Sequence, residues 1–375
     1  MTASRPRLLL DARKARDYGI GRYILGLLGA LARRGDLDLV AVVRRADRAL
    51  LPTAVSPEFC DAAHYSVSEP MAVRAAIGRV RPDIFHAPHY VLPFFPPAAT
   101  VVTVHDLMHL SRPEHASPAK RAYARWMLGR VVRRAARIIV VSRATAGELA
   151  AFDGRSAAKT VVIPDGVGER FLAAIPAGER SRVRGAHGLG EAPYILFLGN
   201  DKPHKNLSGL LDAFSHVRRR GLPHGLVLAG GSPGPAAARR REAIAVRGLS
   251  DAVRDLGVVP DGDVPPLVAE ATALVLPSFS EGFGIPVLEA QAAGTPVICS
   301  DRGGLPEAAG GAALFIDPDR PESITEALER LLRDARLRDT LSADGRKHAE
   351  GFTWDDVGAR TLRVYEEILA RPSRT

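Results

Sequence analysis

The sequence predicts an α/β protein built from two parallel-sheet domains, and three observations carry that expectation. Short β-rich runs alternate with helix-length amphipathic segments along the chain, as in parallel α/β architecture. The runs fall into two complete sets, separated by a stretch rich in Gly, Pro and charge at residues 164–193. The length, 375 residues, exceeds what a single hydrophobic core usually grows to fill.

Taken in order, the first set of strands is expected at residues 7–12, 39–43, 84–86, 101–105, 137–141 and 161–163. The second is expected at 194–198, 226–229, 253–255, 273–276, 297–299 and 313–316. A closing segment, 353–369, carries Val357, Leu362, Tyr365, Ile368 and Leu369 at helical spacing and reads as a packed helix. The expected domains are 1–180 and 190–350, with 351–375 as a terminal helical extension.

An apolar share of 46% with 25% charged residues is ordinary globular composition. Apolar runs are too short to span a bilayer, and Leu8–Leu10 after Arg5 and Arg7 is too short for a secretory leader. Only Cys60 and Cys299 occur, without metal-ligand spacing, so a reducing, cytoplasmic setting without disulfides or structural zinc is expected. The net charge of +9 is uneven. Residues 1–185 carry 29 basic and 16 acidic side chains, and residues 186–375 carry 22 and 26. The basic half could meet an anionic partner, including a membrane's inner face through Arg121, Arg125, Trp126, Arg130, Arg133 and Arg134. No nucleic-acid-binding module accompanies the charge, so no nucleic-acid partner is expected.

Four segments carry chemistry. Asp17-Tyr-Gly-Ile-Gly-Arg22 lies between the first strand and a helix expected over 23–33. Amides at Gly19 and Gly21 could approach a phosphate there, or the glycines could serve a tight turn. Ile24 stands where a dinucleotide fingerprint needs a third glycine, and Arg44 and Arg45 follow the second strand in place of an acid. A nicotinamide enzyme is thereby disfavoured. Next, His105 and Asp106 end a buried strand, at the edge where open α/β sheets bind ligands, with His86 and His89 near a neighbouring tip.

The third segment, Lys202-Pro-His-Lys205-Asn206, places two of only six lysines at another strand tip. Lysine is a point charge suited to phosphate, and Asn206 can cap the following helix. The fourth runs from Glu281 through Gly-Phe283-Gly284-Ile285-Pro286 to Glu289. Amides at a helix N-terminus stand near Gly284, Ile285 and Val287. Glu289 in a first turn would also suit the helix dipole, whereas Glu281 in a glycine-rich loop has no such structural reason.

Together these segments resemble the retaining glycosyltransferases of family 4, the glycosyl transferases group 1, over nearly the whole chain. The Glu281-x7-Glu289 pattern is the strongest element. The resemblance implies a GT-B fold, with two Rossmann-like domains facing a cleft and a C-terminal helix packing back on the N-terminal domain. It implies hexosyl transfer from a nucleotide sugar to a glycan or lipid-linked acceptor, in polysaccharide assembly. GDP-mannose is the first expectation for the donor, and a UDP-hexose the second. No metal or other cofactor is expected, because lysines stand in for the metal.

Residue by residue, Gly19 and Gly21 would meet the donor phosphate and His105 the transferred sugar. Lys205, helped by Lys202, would neutralise the diphosphate. Glu281 with the amides of Phe283 and Gly284 would hold sugar hydroxyls, and Glu289 the ribose. Asn200 departs from the pattern, since many relatives have arginine there. Retention would proceed by front-face attack, the leaving phosphate taking the acceptor's proton. Three other readings stay open on residues alone: a glycoside hydrolase using the two glutamates, a sugar-nucleotide 2-epimerase or hydrolase, and a non-catalytic nucleotide-sugar-binding protein. The three Asp-x-Asp triplets (36–38, 261–263, 317–319) are weak signals of a metal site.

Overall fold

The computed structural model describes residues 5–63, 66, 68–111 and 117–370. Residues 371–375 of the expected C-terminal extension lie outside them. The chain divides into two compact units, one of residues up to 166 together with those from 353 onward, the other Val167–Phe352.

In the first unit the strands are β1 (Arg7–Asp11), β2 (Asp38–Val43), β3 (Ser56–Phe59), β4 (Ile84–Ala87), β5 (Thr100–Val104), β6 (Arg137–Val140) and β7 (Thr160–Val162). They form a parallel sheet in the order β3-β2-β1-β4-β5-β6-β7, with Leu8 beside Leu39 on one flank and Ile84 on the other. Every residue of β5 is buried, as a parallel strand covered on both faces requires. Alternation along β1 sends Leu8 and Leu10 into one core layer and Leu9 into another. No strand is expected from the sequence where β3 lies. Pro57 and two exposed end residues make β3 unlike a central strand, but an edge strand tolerates both.

Leu8 and Leu10 pack under two helices, Tyr18–Arg34 and Trp354–Leu369. The second returns to the first unit and lies along the first helix. Trp354 rests on Gly26 and Gly358 on Ala30, while Arg33 pairs with Asp355 at 2.6 Å. Small residues on both sides allow that close approach.

The second unit contains β8 (Tyr194–Leu198), β9 (Gly225–Ala229), β10 (Val253–Gly257), β11 (Ala273–Leu276), β12 (Val297–Ser300) and β13 (Leu314–Ile316). Their order is β10-β9-β8-β11-β12-β13, again parallel. Residues 164–193, expected as a connection, are largely part of this unit, and the first unit's N-terminal stretch ends at 166 rather than 180. The reason is the helix Ala177–Ala186, which buries Val183 and pairs Arg182 with Asp263 at 2.8 Å and Arg184 with Glu270 at 3.4 Å. Its charged composition hid a helix that docks through one apolar side chain and its ion pairs.

Candidate functional site

In each sheet the strand order reverses once, between β1 and β4 and between β8 and β11. Loops leaving the C-terminal ends of two such strands diverge and open a crevice, where ligands of α/β sheets bind. The second sheet's reversal holds the lysine loop and the Glu281 loop.

After β8, the side chain of Asn200 accepts the Lys202 N–H at 3.2 Å, and Pro203–Lys205 forms one helical turn. Asn206, at φ 54°, caps the helix Leu207–Arg219 by accepting the Gly209 N–H at 3.2 Å, and its amide donates to the Pro318 carbonyl. This fixes Lys205, whose Nζ donates to Glu281 Oε1 at 2.6 Å. Ser278 Oγ donates to the same oxygen at 2.7 Å, and Ser300 Oγ to the Ser278 carbonyl at 2.6 Å. The Phe279 N–H joins the His204 carbonyl at 2.7 Å, tying the two loops together. Burial works to raise the Glu281 carboxyl, but the charges of Lys205 and His204 and the hydrogen bonds from Lys205 and Ser278 outweigh it, and the net direction is down. Glu281 therefore has a structural partner after all, one that loop composition could not reveal.

The Glu281 loop is buttressed from behind. The Gly304 N–H donates to the Glu281 carbonyl at 2.8 Å, and a Cβ at Gly304 would lie 2.1 Å from the Gly282 oxygen, so only glycine fits. Gly284, at φ 118°, caps the helix Ile285–Ala293. Pro286 has no N–H, and the Val287 N–H is taken by the Gly284 carbonyl at 2.8 Å. By position, Gly284 and Ile285 carry the donors left for a ligand. The Phe283 side chain is core, its ring 6.0 Å from that of Phe352. Glu289 is buried and is the fifth helical residue, beyond the first turn, so the dipole explanation for it falls away.

Lys202 is exposed. The neighbouring Asp201 instead holds Arg240, which also donates to Asp255 at 3.0 Å, while the Ser232 N–H donates to Asp201 at 2.6 Å. This clamp of Asp201, Arg240 and Asp255 fastens the lysine loop to β9 and β10. Sequence reasoning missed it, since its members are scattered over the chain. Arginines engage each Asp-x-Asp triplet. Arg34 pairs with Asp36, Arg7 with Asp38, Arg182 with Asp263, and Arg302 with Asp317.

In the first unit His105 lies just past β5. Its Nε2 is 3.1 Å from the Pro88 carbonyl, and a carbonyl only accepts, so Nε2 carries the proton and Nδ1 keeps its lone pair. Burial pushes the imidazole down to about 4, against upward pulls from Asp106 and the Pro88 carbonyl, so the ring is neutral at pH 7. The edge-on ring of Tyr23, 4.9 Å away, holds it. His86 does not line a crevice with it. The His86 ring is buried within β4, bonded to Tyr365 Oη at 2.6 Å and Thr103 Oγ1 at 2.8 Å. His89 stacks on Tyr90.

The first helix begins at Tyr18, not Tyr23, so Gly19 and Gly21 are helical. Gly21 donates its N–H to the Asp17 carbonyl and is buried. A Cβ there would lie 2.3 Å from the Ala15 oxygen, so its role is close packing rather than phosphate contact. Gly19 remains an exposed first-turn amide. Asp165 lies beside the unit boundary, in the stretch 164–193 expected only as a connection. It is 3% exposed, and among the described residues nothing hydrogen-bonds its Oδ1. Burial raises it to about 8.

The family described as "Glycosyl transferases group 1" matches residues 179–348, and "Glycosyltransferase Family 4" matches residues 18–170. The O-antigen chain mannosyltransferase B of Escherichia coli is 30% identical over 309 residues, 80% of this chain and 79% of that protein. The D-inositol 3-phosphate glycosyltransferase of Jonesia denitrificans is 34% identical over 255 residues, 65% of this chain and 59% of its own length. Among solved structures, Anabaena HepE in complex with UDP-glucose superimposes with a TM-score of 0.78 at 18% identity, covering 96% of this chain and 100% of that one.

Proposed function

The chain belongs to glycosyltransferase family 4, the glycosyl transferases group 1, with paired Rossmann-like domains of GT-B type, and from that premise we propose a retaining, metal-independent hexosyltransferase. It moves a hexose, mannose first, from a nucleotide-sugar donor to a glycan or glycolipid acceptor. The observation that carries this reading is the Lys205–Glu281 contact at the reversal of the second sheet, where a cation and a carboxylate are locked by buried serines.

Breaking the anomeric bond develops positive charge on the sugar and negative charge on the departing diphosphate. A preorganised ammonium with helix N-terminal amides stabilises the second. On donor binding Lys205 turns to the diphosphate, leaving the Glu281 carboxylate for sugar hydroxyls. Glu289, held in the helix that follows, takes the ribose. His105, neutral with Nδ1 as acceptor, takes a hydroxyl of the transferred sugar. Attack comes from the leaving group's face, and the phosphate oxygen removes the acceptor's proton. The UDP-glucose held by HepE and the mannosyl activity named for the E. coli relative support a nucleotide-sugar donor and a hexose.

A panel of GDP- and UDP-sugars, with and without a glycan acceptor and in excess chelator, tests this. Product is expected only with acceptor, with retained anomeric configuration and undiminished in chelator. Epimerised donor, or activity lost to chelator and restored by magnesium, would overturn the reading.

Among the described residues no helix is long and apolar enough to cross a membrane. We propose that the first unit instead touches anionic lipid. On the helix Pro118–Arg134, Arg121, Arg125, Trp126, Arg133 and Arg134 are exposed. Arg130 is not part of this face. It donates to the Leu92 and Pro93 carbonyls and lies over the Trp126 and Phe94 rings, bracing a loop whose Phe95 is 80% exposed. Exposed aromatics among arginines suit a bilayer interface. Sedimentation with anionic vesicles is expected, falling in Arg121→Glu/Arg125→Glu. Equal sedimentation with neutral vesicles would remove the idea.

A further inference from the structure

A chain of buried hydrogen bonds crosses the core of the first unit. Tyr365 Oη lies 2.6 Å from His86 Nδ1, His86 Nε2 lies 2.8 Å from Thr103 Oγ1, and the same Oγ1 lies 2.8 Å from Tyr23 Oη. All four side chains belong to residues 0% exposed. They come from four elements: the helix Trp354–Leu369, β4, β5 and the helix Tyr18–Arg34. An apolar core at this place would need no such pairing.

The available protons set the direction of the chain. Burial holds the His86 imidazole down, at about 3, so the ring is neutral and carries one N–H. Each member then has one proton, one more than the bonds between them use, and the spare one sits on Tyr365 or on Tyr23. Burial raises the Tyr23 phenol, against the Thr103 bond, and the neighbouring Asp165 carboxyl adds to the rise. Among the described residues nothing hydrogen-bonds Asp165 Oδ1, so an open acceptor stands on the Tyr23 side. The spare O–H therefore belongs to Tyr23. Tyr365 donates to His86 Nδ1, His86 Nε2–H to Thr103, and Thr103 to Tyr23.

What the chain holds is Tyr23, and Tyr23 in turn holds His105. Thr103 lies in β5 and His105 just past its end, two residues on, so both side chains leave the same face. Tyr23 spans them, its hydroxyl on Thr103 and its ring edge-to-face with the imidazole, centroids 4.9 Å apart and planes at 82°. The Pro88 carbonyl fixes the Nε2 end of that imidazole at 3.1 Å. Tyr23 fixes its tilt, and with it the aim of Nδ1. We propose that Tyr365 is a positioning residue for sugar transfer, through which the helix Trp354–Leu369 sets the His105 ring by way of His86, Thr103 and Tyr23. The inference rests on the sugar contact proposed for His105, and a spectroscopic readout separates the two.

Tyr365→Phe removes one oxygen and keeps the ring. It is expected to lower kcat/KM for the nucleotide sugar roughly tenfold. The Kd of GDP or UDP, whichever the protein binds, should not change, because neither carries the sugar that His105 contacts. In a His105→Ala background the same substitution should cost less than about twofold, whereas loosened packing would cost the same in both backgrounds. Imidazole 15N spectra of the whole protein read His105 without turnover. Its signals are expected to shift in Tyr365→Phe, and again in Thr103→Val, which cuts the chain at its middle, while those of the exposed His216 stay in place. Unmoved His105 signals in both folded variants, or equal losses of kcat/KM with and without His105, would overturn the proposal. Shifted His105 signals in a protein whose His105→Ala variant transfers at the native rate would uphold the hold on the ring and reject its assignment to the sugar.

Discussion

Lys205→Ala and Glu281→Ala are each expected to lower kcat/KM at least about tenfold, or roughly 1.4 kcal/mol of transition-state stabilisation. The two side chains touch at 2.6 Å with only 15% and 13% of each exposed, so neither acts alone. Removing the ammonium leaves a buried carboxylate without its counter-charge, and removing the carboxylate leaves a buried ammonium without its own and takes away the group proposed for the sugar hydroxyls. The double variant should accordingly lose less than the sum, with a coupling of about 0.5–3 kcal/mol. Melting curves guard the interpretation, because breaking a buried pair also destabilises. Near-wild-type turnover in folded Glu281→Ala, or strict additivity, would dissolve the site as drawn.

Asp165→Asn is expected to stabilise the protein at neutral pH. Its carboxyl ordinarily titrates near 3.8, and burial raises it to about 8 in the folded chain. Below pH 4 both states hold the proton and nothing is lost. Between pH 4 and 8 the unfolded state releases it while the folded state keeps it, so stability declines with rising pH and levels off above 8. The loss accumulates at about 1.4 kcal/mol per pH unit, which makes it about 4 kcal/mol at pH 7. Asparagine removes this dependence. Melting temperatures at pH 4 and pH 7.5 should show a gain of about 5 °C or more at the higher pH and little at the lower. Superimposable profiles for the two proteins would contradict the unpaired, buried state of Asp165.

Much of this was legible in the residues. Central strands show as apolar runs because parallel strands bury both faces, and β3 hides because its Ser-Pro-Glu-Phe run at the sheet edge carries no apolar run, only Phe59 at an exposed end. Lys205 and Glu281 announce themselves by residue type at strand tips, but their contact spans 76 positions and belongs to the fold. Gly21 misled, since a glycine demanded by the Ala15 carbonyl looks in sequence like one offered to a phosphate. Asp165 carries no signal at all, because Pro-Asp-Gly is ordinary turn composition and its burial comes from distant packing.

The helix Trp354–Leu369 has one more consequence, for the order of events as the chain is made. Tyr365 bonds His86, Trp354 covers Gly26, and Arg360 donates to the Val162 carbonyl. None of these contacts can form while residues 354–369 are still unsynthesised. Domains usually fold as they emerge, the earliest first. Here the residues of Val167–Phe352 are complete sooner than the unit begun before them, whose core must wait, open on one face, for a segment translated some two hundred residues later.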